Sequence, residues 1–419
     1  MIINARQWHQ PLTDRFFVIS CLALRIAFLF SLLRPLNEFP LGPNTIALLP
    51  IDSVLNFFPS SMGEFLYSKI FELFQNHYQA IGSSLVLVSL FKPLRTISFL
   101  FLSLFCFIFT ERFFILGHIG DYLYCFLFFH LSLVLVSKNQ KNESYITLLD
   151  LAPLILLRTV IYAFNIWNKV NSSWGTGGGF SQSLKHTELS RFPEVVSLFP
   201  TLTIVLNYVL ILVLIFAVMA PFISLKYPKT RFFFSLLCIA YHFGGICFFR
   251  LDGISIPFII LEVMLLTQPL GIQSSEFTNP LRKRTILAAV ILVLGFFNIT
   301  PRGSHFERPF NLPMGHNWYM FAPPPPVTAE WSFAIKSKDS SEILLTQTDI
   351  ETKLKIPQGI RSYKYFYNLR RIDAFPFVEH LLETLCQDSN YVSIKTRYAG
   401  TILESKAPFE KSWPEYSCD

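Results

Sequence analysis

The stretch ITLLDLAPLILLRTVIYAFNIWNKVNSSWGTGGG, residues 146 to 179, decides how the chain is read. Its apolar part, 146 to 168, is long enough for a helix to cross a bilayer, which takes about 20 residues. A lone cation, Lys169, stands at the end of that run, followed by Trp174 and by Gly175, Gly177, Gly178 and Gly179. An ammonium leaving hydrocarbon has two fates. It snorkels to water while Trp174 anchors the span in the headgroup region. Otherwise burial lowers its pKa and makes it a base, beside glycines that let backbone approach a ligand closely.

Composition around this stretch places the chain in a membrane. Hydrophobic residues make up 52% of 419, phenylalanine alone supplies 45, and mean hydropathy is +0.44. One soluble core cannot bury that much apolar surface. A net charge of +7 would suit nucleic acid in a soluble chain, but the basic residues sit in short gaps between apolar runs. They report topology, and no nucleic-acid partner is expected. The first run, Phe16 to Leu33, has no small-residue cleavage site after it and is expected to stay as an anchor. Cys21, Cys106, Cys125, Cys238 and Cys247 lie in apolar segments and read as small core residues. Cys386 and Cys418 lie in the polar tail, where pairing becomes available if that tail is outside the cytoplasm.

Apolar runs at 16–34, 80–91, 96–116, 120–137, 146–168, 199–225, 231–249, 254–270 and 285–300 predict about nine transmembrane helices, an all-α polytopic bundle over residues 1–300. With Arg6 and Arg15 in the cytoplasm, alternate gaps hold Lys92 and Arg95, Lys138 and Lys141, Lys226, Lys229 and Arg231, and Arg282, Lys283 and Arg284. All fall on one side, so the N-terminus is expected inside, as in a bacterial inner membrane. The glycine loop and everything after Thr300 are then extracytoplasmic. An outer loop carries the amphipathic stretch Glu64 to Asn76, suited to lie along the membrane surface.

Residues 301–329 form a proline-rich connector ending in Pro323 to Pro326, which is expected to be extended. In 330–419, alternation at 330 to 336, 342 to 348 and 391 to 397 predicts strands, while Tyr363 to Arg371 and Phe377 to Leu385 predict helices. This is a small extracytoplasmic α+β domain, able to bind a protein or peptide partner.

Arg25, Arg158, His242, Glu262 and Asp121 sit where hydrocarbon would penalise them, so each must face protein or water. Arg25 and Arg158 stay charged and either pair with carboxylates and helix-end carbonyls or contact substrate. His242 either moves a proton near neutral pH or makes an interhelical hydrogen bond. Arg250, Asp252 and Gly253 follow at a turn. Metal-ligand spacing is missing, so no metal is expected.

Four features in order resemble the horizontally transferred transmembrane (HTTM) domain family, whose best characterised member is the vitamin K-dependent γ-glutamyl carboxylase. They are Arg25 in the first run; Lys169, Trp174 and Gly177; Arg231, His242 and Gly253; and the string Trp318, Met320, Phe321 and Pro323. The similarity runs over roughly residues 14 to 326. It implies a reduced quinone, vitamin K-like, or another membrane lipid as the molecule acted on, with Lys169 as the base and His242 assisting. It also implies that Trp174, Gly177 and Arg25 serve substrate binding, to which Arg158 is added as a candidate from its place in an apolar run, in base-initiated oxygenation or carboxylation at the extracytoplasmic face. Where the carboxylase has an Asn-His pair before Tyr-Leu, this chain reads Gly120-Asp121-Tyr122-Leu123.

Overall fold

Apolar runs become helices because each backbone hydrogen bond closes within its own segment, leaving the side chains to sort by polarity. The computed structural model describes residues 11–12, 14–33, 77–112, 119–141, 146–170, 174–185, 190–226, 228–266, 327–339, 341–356, 365–366, 369, 375–388, 390–402 and 408–418. Its first helices are α1 (Asp14–Leu33), α2 (His77–Val88), α3 (Arg95–Arg112), α4 (Ile119–Lys141) and α5 (Leu148–Val170). The short α6 (Gly179–Lys185) and α7 (Val195–Leu198) precede α8 (Pro200–Lys226), α9 (Pro228–Phe248) and α10 (Asp252–Leu265). A two-residue strand β1 (Pro11–Leu12) pairs antiparallel with β2 (Ile146–Thr147), joining the first described residues to the start of α5.

The expected nine crossings are corrected to fewer. Among the described residues, Asp150–Trp167 in α5 and Pro200–Pro221 in α8 are long and apolar enough to cross a membrane. A third span arises if His77–Val88 and Lys92–Cys106, which meet at 114°, count as one broken element. Lys92 and Pro93 sit in the 3₁₀ turn at that break, where proline supplies no N–H to continue a helix. Within α1, α4, α9 and α10 the apolar stretches Phe16–Leu32, Leu123–Val136, Phe232–Phe248 and Gly253–Leu265 run for only 10–17 residues. That is short of the ~20 residues a hydrocarbon core asks for. The run 285–300, the stretch Glu64 to Asn76 and the proline connector lie outside the described residues.

Helix α8 shows how the side chains sort. Thr203, Asn207, Ile211, Leu214, Ala217 and Ala220 are buried at steps of three and four, one helical stripe. Leu202, Val205, Val209, Leu212 and Phe216 on the other face are exposed. The polar Thr203 and Asn207 point inward among apolar neighbours while the exposed face is apolar throughout, unlike a surface helix on a soluble protein. Around α8 pack α5 and α9; α9 pairs with α10, which also contacts α1, α4 and α5.

Prolines inside these helices free particular carbonyls, because a proline at position i cannot donate to the carbonyl at i−4. Pro221 leaves Ala217 O open, and Arg158 Nη1 of α5 donates to it at 2.8 Å. Pro257 leaves Gly253 O open, and α4 closes on it: a Cβ added to Gly120 would lie 2.1 Å from that oxygen. Only glycine permits that approach.

The C-terminal segment forms an antiparallel sheet in the order β4–β3–β5–β6, from β3 (Val327–Ser337), β4 (Glu342–Thr346), β5 (Tyr391–Ile402) and β6 (Pro408–Ser412). A short β7 (Tyr416–Ser417) also pairs with β5. Trp331, Phe333 and Ile335 alternate on the buried face of β3, and α12 (Phe375–Cys386) buries Val378, Leu381, Leu382 and Leu385. The expected strand 342–348 is shorter by two residues. Gln347 and Thr348 open α11 (Gln347–Lys353), because Thr346 and Asp349 form a reciprocal capping box that starts a helix there. Cys386 and Cys418 form a disulfide, tying the end of α12 to the strand end beyond β7.

Candidate functional site

Arg158, Tyr162, Asn165 and Lys169 recur along α5 at steps of four, three and four, so they share one stripe, and all are buried. Two polar clusters grow from it.

The deeper one joins α5 to α8, α9 and α10. Arg158 Nε makes an ion pair with Glu262, Nη1 reaches Ala217 O, and Nη2 donates to Cys238 Sγ at 3.1 Å. The guanidinium also lies 5.0 Å from the centroid of the Tyr162 ring. Tyr162 Oη donates to Glu262 Oε1 at 3.1 Å and meets His242 Nε2 at 2.8 Å. A phenol has one proton to give, so donation to the carboxylate makes Tyr162 the acceptor from His242 and puts a proton on Nε2. The imidazole stacks on Phe258 at 4.6 Å and 9°. Arg158 and His242 are thereby brought together through Tyr162 and Glu262. Glu262 Oε1 takes both donors while Oε2 has no hydrogen-bond partner among the described residues, so the condition under which burial of an ion pair is tolerated is met in part.

The second cluster sits at the C-terminal end of α5, past the apolar stretch that ends at Trp167. Lys169 is 2% exposed, so it does not snorkel to solvent. Its Nζ lies 3.2 Å from the centroid of the Trp174 ring. Burial lowers the amine's pKa from 10.5 to about 7. An ammonium held dry over an indole gains about 2 kcal/mol, worth about one and a half pH units. That opposes a fall from 10.5 to about 7 without cancelling it.

What holds Trp174 there is local. Gly177 N donates back to Trp174 O at 3.1 Å, closing a turn in which Gly177 has φ +87°. Gly179 begins α6 directly beneath the indole: a Cβ there would meet Trp174 Cγ at 2.1 Å. Asn207 of α8, fully buried, clamps both sides of the loop. Its Nδ2 donates to Trp174 O at 2.7 Å and its Oδ1 accepts from Phe180 N at 3.0 Å. Phe180, Leu184, Ile211 and Phe249 pack with Trp174 as a separate apolar cluster. These groups keep water from the amine and set its basicity.

Arg25 lies apart from both clusters. It donates from Nε to Ser89 Oγ at 2.8 Å, from Nη2 to Ser89 O at 3.1 Å and from Nη1 to Cys21 O at 3.1 Å. Its guanidinium covers the Phe99 ring at 4.7 Å. These contacts bind α1 to the end of α2 and to α3. His242 makes its hydrogen bond and ring contacts with Tyr162, Phe258 and Tyr241, while Lys169 lies seven residues, about 10.5 Å, farther along α5.

Tyr162, Asn165 and Asn207 escape a reading of sequence that looks for charges. The signal that finds the first two is the 158, 162, 165, 169 spacing, which puts a polar tip on each turn of one face. Asn207 carries no such signal alone, since its two partners are backbone groups of a distant loop. Among the described residues no group of three or more His, Cys, Asp or Glu is gathered as a metal would require. Set beside known proteins, the chain matches no family model, no curated protein and no solved structure.

Proposed function

We propose that this chain is a multi-pass membrane protein in which Lys169 removes a proton from an apolar, quinol-like or lipid substrate. One observation carries the reading: an amine shut off from water at the end of an apolar helix, its pKa brought to about 7 by burial. Such an amine is half neutral at physiological pH and accepts a proton with little driving force lost on either side. On protonation the new ammonium is received by the Trp174 face, 3.2 Å away. The outward apolar face of α8 suits a lipid surround.

A reduced quinone suits the groups present in that Lys169 is a nitrogen base for a hydroxyl, set in the apolar surround of Trp174 and Phe180. When bound, it supplies an acidic hydroxyl and a reduced ring. The chain's own part is to orient that hydroxyl at Lys169, take its proton and exclude water. Arg158, Glu262, Tyr162 and His242 form the rigid floor beneath, with His242 assisting by fixing Tyr162. Gly177 gives the turn over the amine, and Arg25 secures the neighbouring helices.

The disulfide between Cys386 and Cys418 favours an oxidising compartment for the tail, and with it the N-inside orientation of a bacterial inner membrane. A second reading, a non-catalytic membrane protein whose outer domain binds a protein or peptide, is favoured by the edge strand β4. There Ile343 and Leu344 are 42% and 67% exposed.

The test uses menadiol, whose reaction with oxygen proceeds through its deprotonated form. Protein in nanodiscs at pH 7 is expected to speed oxygen uptake by menadiol, and Lys169→Met to return it to the protein-free rate. Equal rates for the native protein and Lys169→Met would overturn the base assignment.

A further inference from the structure

Between the two clusters on α5 stands a buried group with no role in either. Asn165 is 2% exposed, and its Nδ2 has no hydrogen-bond partner among the described residues. Buried amide donors are nearly always satisfied, so an open one in a packed helix bundle points to a ligand that supplies the missing acceptor. Its position narrows what that acceptor is. Asn165 and Lys169 are four apart on one helix face, so their Cβ atoms lie about 6 Å from each other, and one atom held between them can touch both. On the other side, Tyr162 is already committed to Glu262 and His242. Moving inward from Lys169 along the stripe, Asn165 is the first donor left open.

Resting on the reading of Lys169 as a base, we propose that Asn165 donates from Nδ2 to the oxygen that loses its proton to Lys169, so that the site selects hydroxyl acids, phenols and enols, over carbon acids. The step balances simply. The substrate O–H bond breaks, its proton forms a new N–H bond on the Lys169 amine, and the electron pair stays on oxygen as an oxyanion. That oxyanion lies between a new ammonium and an amide N–H, both dry. Donors fixed in advance where charge develops stabilise it without reorganisation. A carbon acid would leave its charge on an atom that accepts hydrogen bonds poorly, and Asn165 would stay unpaired.

The probe is 4-nitrophenol, whose phenolate has its own visible absorption, with 4-nitroanisole as the ether that has no proton to lose. Native protein in nanodiscs at pH 7 is expected to bind 4-nitrophenol as the phenolate. Asn165→Leu and Asn165→Asp are each expected to weaken that binding at least tenfold while leaving 4-nitroanisole binding unchanged. Asn165→Leu is also expected to melt at the same temperature as the native protein or higher, because it removes an unsatisfied buried donor. A residue kept only for packing or for an internal hydrogen bond would lower it. Phenolate binding that survives both Asn165 substitutions but is lost in Lys169→Met overturns the Asn165 assignment and leaves the base standing. Absence of phenolate on the native protein overturns both, and unchanged binding in Lys169→Met overturns the base.

Discussion

Lys169 owes its chemistry to what surrounds it, and each neighbour can be removed in turn. Competitive acetylation across pH, read by mass spectrometry with the exposed Lys395 as reference, is expected to give Lys169 a midpoint near 7. Asn207→Ala leaves Phe180 N without its partner and Trp174 O with Gly177 N alone, a cost of about 1–3 kcal/mol. It is expected to loosen Trp174 and admit water, which moves the Lys169 midpoint upward because the relief of burial outweighs the lost indole contact. Gly179→Ala should act the same way, by pushing the indole aside and letting water reach the amine. The amine also leaves a mark on stability. Its folded pKa lies below the unfolded value, so from pH about 7 to 10.5 the unfolded chain holds the extra proton. Stability therefore rises with pH through that window, by at most about 1.4 kcal/mol per unit, and Lys169→Met should abolish the slope in thermal melts.

Helix against helix, the ion pair of Arg158 with Glu262 ties α5 to α10, and the bonds to Ala217 O and Cys238 add α8 and α9. Glu262→Ala strands a buried guanidinium and is expected to cost about 3–5 kcal/mol in thermal or denaturant melts in detergent. Arg158→Met combined with Glu262→Leu should recover most of that loss, since a pair removed whole leaves no uncompensated charge. If the single and double substitutions cost the same, the pair is not what joins these helices. Much of this was legible beforehand: Arg158, His242 and Glu262 stand out because apolar runs seldom carry such residues. Their partnership was not, because residues 158, 242 and 262 lie on separate helices and Tyr162, which joins them, has a side chain at home in any apolar run. The capping box at Thr346 and Asp349 was equally readable, yet an alternating pattern reaching Thr348 pointed to strand. A local cap outweighed two residues of alternation.

For the chain as a whole, the disulfide of Cys386 with Cys418 closes a separation of 32 residues. On chain-entropy grounds such a loop contributes about 3–4 kcal/mol. Melts with and without reductant are expected to show that loss in the segment 327–418, and Cys386→Ala with Cys418→Ala should reproduce it. Sealed cells treated with an impermeant thiol reagent after reduction report the side of the membrane; protection of both thiols in folded and in denaturant-loosened tails would contradict an outside domain. Composition and hydropathy alone settled that the chain is mainly helical with long apolar helices and a small β-rich tail, because those properties are sums over local side chains. They overstated the crossings, since hydropathy registers an apolar run without its length in three dimensions or the 114° bend beside Pro93. Which polar residues meet was decided only by tertiary packing. Asn207 holds Trp174 over Lys169, Pro221 opens a carbonyl for Arg158, and Gly120 admits Gly253. Each is an agreement between positions distant in sequence, where the identity of one residue says nothing until the other is placed beside it.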